Sequence, residues 1–139
     1  GVKSNINAML KEKGAVCTLK ISKSHAVQAV PAYLESILLN LFTNALKYSS
    51  PDRKPTINIS SGLYKNYVVL KFSDNGQGID LERHGKKLFG MYKTFHEHKD
   101  ARGIGLFITK NQIESMNGKV EVASEVGVGT TFTLYFEKG

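Results

Sequence analysis

Apolar and polar positions along the chain follow two different repeats, and each repeat predicts a type of element. Residues 31–51 place apolar side chains at helical spacing, with Pro31 near the first turn and Pro51 at the end, which predicts a helix. A second helix is predicted over 103–116, where Asn117-Gly118 follows as a stop signal. Short apolar or alternating runs predict strands over 15–22, 55–60, 66–73, 119–125 and 129–137.

The order of these elements limits the fold class. GLYK, residues 62–65, is a predicted turn between the second and third strands. The polar stretch 81–102 has no clear period and is predicted to be a long, partly mobile loop. Strands that follow one another, with helices inserted between them, predict one mixed sheet with helices on one face. We therefore expect an α+β fold, a two-layer α/β sandwich, in a single domain spanning residues 1–139.

Composition and charge narrow the possible partners. The chain has 139 residues, of which 41% are hydrophobic and 22% charged, as in a globular domain that buries a core. No apolar run reaches the roughly 18–20 residues of a membrane span, and no signal peptide opens the chain, so no direct membrane contact is expected. The net charge of +7 favours anionic partners such as nucleotides, nucleic acid or acidic proteins. The lysines are scattered rather than clustered with aromatic side chains, so nucleic-acid binding is not expected.

The single cysteine and the four histidines do not follow a known metal-binding pattern. Cys17 has no second cysteine with which to form a disulfide in the chain, which agrees with a reducing compartment. The histidines and Cys17 match no zinc-ligand spacing. His96 and His98 are close enough in sequence to share a metal, although positions on a surface loop explain them better.

The first predicted helix carries a polar stripe beside its apolar face. Six apolar side chains form the face that we expect to pack on the sheet: Leu34, Ile37, Leu38, Leu41, Phe42 and Ala45. Asn40, Asn44 and Lys47 recur at i, i+4 and i+7 on another side of the helix. They are either ordinary solvent-facing residues or a ligand-binding stripe. Asparagine is a weak helix former, and its amide oxygen suits Mg²⁺ that already carries phosphate oxygens, while Lys47 suits the phosphates.

DNGQGID, residues 74–80, directly follows a strand-like run and fits a turn, a Ca²⁺ loop or a nucleotide pocket. The Ca²⁺ loop is disfavoured because the segment lacks the oxygen-bearing residues and the distal Glu of D-x-[DN]-x-[DN]-G. An ionised Asp74 only accepts hydrogen bonds, so it suits the donating 6-amino group of adenine and rejects guanine. Gly76 and Gly78 would keep side chains out of such a base pocket. A simple turn remains the alternative.

Two further glycine pairs lie near the predicted ends of elements. Neither they nor DNGQGID match a Walker A loop or the dinucleotide pattern G-x-G-x-x-G. Gly103 and Gly105 lie at the N-terminal end of the second predicted helix, where backbone N–H groups can meet an anion. Gly127 and Gly129 lie between the last two strands, as is typical of a tight hairpin.

Five segments, in this order, resemble the motifs of the ATP-binding catalytic domain of sensor histidine kinases, within the Bergerat-fold (GHKL) group. NLFTNALKYSS resembles the N box, DNGQGI the G1 box, LFGMYKTF the F box, GIGLFITK the G2 box and GVGTTF the last glycine box. The resemblance covers roughly residues 15–137. It implies the Bergerat type of sandwich with a mixed, mostly antiparallel sheet, an ATP lid at about 81–102, and Mg²⁺ and ATP as ligands.

The resemblance also implies roles for individual residues. Those that would contact the nucleotide or its metal are Asn40, Asn44, Lys47, Tyr48, Asp74, Gly76, Gly78, Ile79, Gly103, Gly105, Leu106 and Thr131. Asn40 and Lys47 would act in catalysis and Asn44 would coordinate Mg²⁺. Asp74 would bind the adenine amine, and Thr131 would contact the adenine side.

Asn40 stands where the gyrase B subunit and other ATPases of the group carry a water-activating Glu. An amide cannot take a proton from water at working pH. Hydrolysis should therefore be slow, which leaves the γ-phosphoryl group for a protein acceptor.

Three departures from the family pattern bear on activity. Thr94 stands where an Arg near the γ-phosphate is common, with Lys93 as a poorer substitute. Ala101 stands where a further glycine usually opens the G2 box. A phosphoacceptor box is absent from the sequence, and His25 lies in the wrong context for one. The acceptor is therefore expected in another part of a longer protein.

The resemblance implies donation of the γ-phosphoryl group of ATP to a histidine on a separate dimerisation and phosphoacceptor domain of the same parent protein. A response regulator receiver domain would then take the phosphoryl group. The domain would be cytoplasmic, in a parent that is free or anchored in a membrane. The alternatives are a degenerate module that senses ATP without transferring phosphate, and a GHKL serine kinase of anti-sigma type.

Overall fold

The computed structural model describes residues 2–22, 27, 29–80 and 101–139. Helices and strands alternate along this part of the chain. They are α1 (Val2–Lys13), β1 (Val16–Lys20), α2 (Pro31–Lys47), β2 (Thr56–Tyr64), β3 (Tyr67–Asp74), α3 (Ala101–Ser115), β4 (Lys119–Glu125) and β5 (Gly129–Glu137).

The strands form a five-stranded sheet in the order β1-β2-β3-β5-β4. β1 pairs parallel to β2, and the other three pairs are antiparallel. The register of β3 against β5 places Asp74 opposite Thr130. Because β5 lies between β3 and β4, the chain that leaves β3 lies beside the turn from β4 to β5 at one end of the sheet.

The hydrophobic core lies between one face of the sheet and the inner sides of the helices. Its buried members are Ile6, Ile37, Leu41, Phe42, Ala45, Leu46, Ile57, Ile59, Phe72, Leu106, Ile113, Met116, Phe132, Leu134 and Phe136. Successive residues of a strand point to opposite faces, so the buried side chains of β5 alternate with half-buried ones. The ring of Phe42 on α2 meets the ring of Phe72 on β3 edge to face at 5.0 Å, a geometry that stabilises aromatic pairs.

The predicted α+β sandwich with a mixed, mostly antiparallel sheet is confirmed. β4 and β5 have the predicted bounds. The helix predicted over 31–51 ends at Lys47, because Tyr48 leaves the helical conformation with φ −107° and ψ 29°. The predicted turn between β2 and β3 is present but begins later than residue 62. β2 continues to Tyr64, and the chain reverses after it, where Lys65 has a φ of 52°.

The helix α1 is absent from the sequence prediction. Ile6, Met9 and Leu10 belong to the core or pack against it, and their spacing of three and four residues is helical. Polar residues at most other positions of α1 weaken that pattern. No helix in the ranges that the structure describes is long and apolar enough to cross a membrane.

Most of the predicted loop at 81–102 lies outside the described residues, and its last two residues begin α3. The four histidines, Lys93 and Thr94 also lie outside the described residues.

Candidate functional site

A recess opens at the end of the sheet where β3 finishes and α2 ends. The described residues that line it are Asn44, Tyr48, Asp74, Gly78, Ile79, Leu106, Thr130 and Phe132. It encloses about 320 Å³ of space, which includes open solvent.

Asp74 is the last residue of β3 and presents its half-buried side chain to the recess. Its Oδ1 accepts a hydrogen bond from the N–H of Gly76 at 2.8 Å, which orients the carboxylate over the turn that follows. A Cβ at Gly76 would lie 2.8 Å from the carbonyl oxygen of Tyr48, so only glycine lets the end of α2 come this close. The N–H of Gln77 donates to the same carbonyl at 3.0 Å. These contacts hold the turn at residues 74–78, here called the Asp74 turn, against the end of α2.

Gly78 joins the Asp74 turn to the β4–β5 turn. Its φ is +77°, and an added Cβ would lie 2.1 Å from the carbonyl oxygen of Glu125. The next residue, Ile79, donates its N–H to Ser124 Oγ at 2.8 Å. Ile79 is thereby held at the recess, and its role in shaping a base pocket stays a prediction.

The structure places Thr130, and not Thr131, at the recess. Thr130 is only 6% exposed, and its hydroxyl lies 2.7 Å from Ser124 Oγ. Thr131 lies on the opposite face of the sheet, where its hydroxyl is 2.8 Å from Ser73 Oγ. The position predicted for Thr131, beside the recess, is therefore corrected to Thr130. Strand alternation could have separated the two, because Thr130 shares its face with Phe132.

The polar stripe of α2 is divided between different surroundings. Asn44 and Tyr48 line the recess. Asn40 instead donates from Nδ2 to Thr109 Oγ1 on α3 at 3.4 Å. Lys47 is exposed, and its Nζ lies 5.4 Å from the centre of the Tyr48 ring, a cation–π contact. Asn44 on α2 and Tyr48 just after it therefore line the recess. Asn40 lies between α2 and α3, and Lys47 lies against the ring of Tyr48.

α3 contributes one wall of the recess through Leu106, which is fully buried. The helix begins at Ala101. Gly103 and Gly105 therefore lie inside its first two turns, two residues further from the start than in the helix predicted over 103–116. Gly103 remains among the first four residues, whose N–H groups have no acceptor within the helix.

The recess offers a donor that suits a hard cation. The amide of Asn44 supplies a neutral oxygen, and Mg²⁺ usually combines a few protein ligands with phosphate oxygens and water. In the described part of the chain, no group of three or more His, Cys, Asp or Glu residues could hold a metal ion. The donors present fit a metal that arrives bound to a phosphate ligand rather than one held by protein ligands alone.

A wider hollow, which encloses about 750 Å³ of space including open solvent, lies on the opposite face of the sheet. Its described lining is Ser60, Ser61, Gly62, Leu63, Tyr64, Val69, Lys71, Thr133 and Tyr135. The Tyr135 hydroxyl donates to the carboxylate of Glu121 at 2.6 Å, which raises the pKa of Tyr135. None of the predicted site residues lines this hollow. The first recess is the candidate site, because it collects a carboxylate, an amide and exposed backbone in one place.

The family of histidine kinase-, DNA gyrase B-, and HSP90-like ATPases matches residues 29–139. The chain is 35% identical over 104 residues to the probable C4-dicarboxylate sensor kinase of Halalkalibacterium halodurans, which covers 73% of this chain and 19% of that protein. It is 33% identical over 127 residues to histidine protein kinase SaeS of Staphylococcus aureus strain USA300, which covers 87% of this chain and 36% of that protein.

Among solved structures, full-length ShkA in complex with AMPPNP matches 99% of this chain and 29% of ShkA, with a TM-score of 0.79 and 23% sequence identity. At this identity the likeness shows the fold. The chain spans 19% and 36% of the lengths of the two curated relatives. The family match confirms the resemblance that the five motifs indicated. The chain belongs to the family of histidine kinase-, DNA gyrase B-, and HSP90-like ATPases.

Proposed function

We propose that this chain binds Mg·ATP in the recess and donates the γ-phosphoryl group to a histidine on a separate phosphoacceptor domain. The observation that carries the proposal is the placement of Asp74 at the end of β3, with its carboxylate oriented by Gly76 beside an apolar wall formed by Ile79, Leu106 and Phe132. Asp74 is the one carboxylate among the described residues that line the recess, and a carboxylate beside an apolar wall suits a flat ligand that donates hydrogen bonds. The family match and the nucleotide analogue bound by ShkA support ATP as that ligand.

Asp74 would select adenine over guanine. An ionised carboxylate accepts several hydrogen bonds and donates none. A carboxylate such as that of Asp74, which accepts from the N–H of Gly76, can accept several hydrogen bonds at once, so the 6-amino group of adenine could donate to it as well. Guanine presents an acceptor at that position and would be repelled. A hydrogen bond to a charged group contributes about 1.5–3 kcal/mol, enough to discriminate between the two purines.

The phosphates would extend from the base toward the end of α2 and the first turns of α3. Asn44 would give its amide oxygen to Mg²⁺, which neutralises phosphate charge when it is bound. Lys47 would leave the ring of Tyr48 to reach the phosphates, a movement that its flexible stem permits. The N–H groups at the start of α3, near Gly103, favour a negative charge.

Asn40 supports transfer of the phosphoryl group to a protein rather than to water. Its amide is uncharged and donates to Thr109, so it is not a base for water activation. In the transfer, an imidazole nitrogen attacks the γ-phosphorus as the bond to the bridging oxygen breaks. ADP leaves with that electron pair, and the imidazole N–H proton passes to solvent. The chain supplies positioning and charge neutralisation.

The proposal places the chain in two-component signalling. Its partners would be the dimerisation and phosphoacceptor domain of the same parent protein and a response regulator receiver domain, in the cytoplasm. The net charge of +7 suits an acidic receiver.

Replacing the Asp74 carboxylate with an amide tests the base pocket. Asp74→Asn should weaken Mg·ATP binding by about tenfold or more, because the charge-assisted bond to adenine is lost. Asp52→Asn is the matched control, since Asp52 is exposed and does not line the recess. Isothermal titration calorimetry of both variants measures the effect. Equal affinities for the two variants and the unsubstituted chain would exclude the adenine pocket.

Phosphotransfer is tested by mixing the chain with the separately produced phosphoacceptor domain and ATP labelled at the γ-phosphate. Label that is lost in acid and kept in base indicates phosphohistidine and supports the proposal. Acid-stable label would indicate a serine kinase instead. Tight ATP binding without any label on the acceptor would indicate a module that senses ATP.

A further inference from the structure

Arg53 lies in the loop between α2 and β2, outside the lining of the recess. Its half-buried side chain donates hydrogen bonds to four backbone carbonyl groups. Nε donates to the carbonyl of Asn75 at 2.7 Å, and Nη2 donates to that of Gly76 at 2.8 Å. Nη2 also donates to the carbonyls of Gly127 at 2.9 Å and Val128 at 3.2 Å. Because Nη2 carries two hydrogens, one of its N–H groups is shared between acceptors.

These four carbonyl groups come from two segments that are far apart in the sequence. Asn75 and Gly76 belong to the Asp74 turn, whereas Gly127 and Val128 belong to the β4–β5 turn. Their oxygens converge on one point, where their partial negative charges would repel one another without a cation. A guanidinium has several N–H donors in one rigid plane, which an ammonium cannot reproduce. Arg53 therefore holds the two turns at a fixed separation.

A second set of bonds ties the same turn to the loop that carries Arg53. The Asn75 Oδ1 accepts from the N–H of Thr56 at 2.8 Å, and the Asn75 Nδ2 donates to the carbonyl of Lys54 at 2.9 Å. The Asp74 turn is thus bonded on one side to the start of β2 and on the other, through Arg53, to the β4–β5 turn. Both sets of bonds position Asp74, because they fix the N–H of Gly76 that donates to Asp74 Oδ1.

We propose that Arg53 is a positioning residue that sets adenine affinity and selectivity without touching the nucleotide. It holds the carbonyls of Asn75 and Gly76 and so fixes the Gly76 N–H that orients the Asp74 carboxylate. This inference rests on the proposed function, since it concerns how well Asp74 meets the base. Loss of Arg53 lets the Asp74 turn move relative to the β4–β5 turn, so the carboxylate no longer meets the 6-amino group at hydrogen-bonding distance.

The test compares Arg53→Ala with Lys54→Ala, the adjacent variant that loses the same charge from an exposed side chain. Dissociation constants for Mg·ATP and Mg·GTP are measured by calorimetry and by competition. Arg53→Ala should weaken Mg·ATP binding about ten- to a hundredfold. It should weaken Mg·GTP binding less, because guanine does not make the hydrogen bond to Asp74. The ratio of the two affinities should therefore fall. Lys54→Ala should leave both affinities and their ratio unchanged.

Chemical rescue separates positioning from general stability. A low, non-denaturing concentration of guanidinium chloride should restore Mg·ATP affinity to Arg53→Ala, because the free cation can occupy the space among the four carbonyls. The same salt should not change the Mg·ATP affinity of Lys54→Ala. It would further destabilise a variant whose only defect is lower stability, so it would not restore binding to such a variant. Arg53→Lys keeps the charge but not the planar fork, so its selectivity should lie between those of the unsubstituted chain and Arg53→Ala.

Several results would overturn the inference. One is a lowered melting temperature for Arg53→Ala with an unchanged ATP to GTP ratio; another is an equal loss of both nucleotides without rescue. If Arg53→Ala does not fold, Arg53→Lys is measured in its place. An unchanged ratio of ATP to GTP affinity in that variant rejects the positioning role. Failure of the unsubstituted chain to bind Mg·ATP would reject the proposed function and this inference together. Normal binding by the unsubstituted chain with no effect at Arg53 would reject the inference alone.

Discussion

Replacing Gly78 with alanine tests the close approach between the Asp74 turn and the β4–β5 turn. Gly78 has a φ of +77°, and a Cβ there would lie 2.1 Å from the carbonyl oxygen of Glu125 and 2.9 Å from the Cα of Val126. Ordinary van der Waals contact begins at 3.4 Å. Because both neighbouring groups are backbone, the two turns would have to separate by about 1 Å or more, which a close-packed structure resists.

The expected loss of stability has two parts. The left-handed conformation alone costs an alanine about 1–2 kcal/mol. Separation of the turns would also weaken the bond from the Gly127 N–H to the Gln77 carbonyl and the bond from the Ile79 N–H to Ser124 Oγ, both 2.8 Å long. Each such bond contributes about 1 kcal/mol. We therefore expect Gly78→Ala to lower the free energy of unfolding by about 3–4 kcal/mol, a large share of the 5–15 kcal/mol typical of a domain.

Gly14→Ala is the matched control for the conformational part. Gly14 has a φ of +63°, and nothing lies within 4 Å of an added Cβ, so only the cost of the left-handed conformation applies, about 1–2 kcal/mol. Urea unfolding followed by circular dichroism gives the free energy of unfolding for both variants. A difference between them of less than about 0.5 kcal/mol would refute the reasoning, because the contact with Glu125 would then contribute nothing measurable.

Three further predictions concern single side chains. Asn44→Ala should reduce the Mg²⁺ dependence of ATP binding about ten- to a hundredfold, measured by calorimetry with Mg²⁺ and with a chelator; equal dependence in both proteins would exclude the metal ligand. Thr130→Val should weaken ATP binding by about three- to tenfold while Thr131→Val does not, and the reverse order would contradict the face of β5 described above. Burial raises the pKa of the Cys17 thiol, so alkylation by iodoacetamide should be slower at pH 8 than for a free cysteine and should increase as the pH rises toward that higher pKa. Alkylation of the folded chain as fast as that of the urea-unfolded chain would contradict this.

Much of the fold could be predicted because it depends on local patterns. The alternation of apolar and polar residues along β5 is a property of neighbouring positions, and it was enough to define the bounds of that strand. The same holds for the apolar face of α2, where Ile37, Leu41 and Phe42 are buried as expected. α1 was missed because only Ile6, Met9 and Leu10 carry its pattern. Tertiary packing on α2 then stabilises a helix that its own sequence indicates weakly.

The sequence predicted which residues belong to the site better than it predicted where their side chains lie. Asp74, Asn44 and Ile79 were expected at one pocket and lie together there. The placement of Lys47 over the Tyr48 ring was not expected, because a long flexible side chain takes its position from neighbours that the sequence does not show. The choice between Thr130 and Thr131 could have been made from strand alternation.

By itself, the sequence determined which faces are apolar, where a carboxylate ends a strand, and which family the chain resembles. Only the tertiary structure decided which distant segments meet: Arg53 bonds to carbonyls up to 75 positions away, and Gly78 contacts Glu125. The physical reason is the separation of the interacting residues along the chain. Periodicity reports interactions between residues a few positions apart, whereas these bonds exist only after the sheet has brought the end of β3 beside the β4–β5 turn.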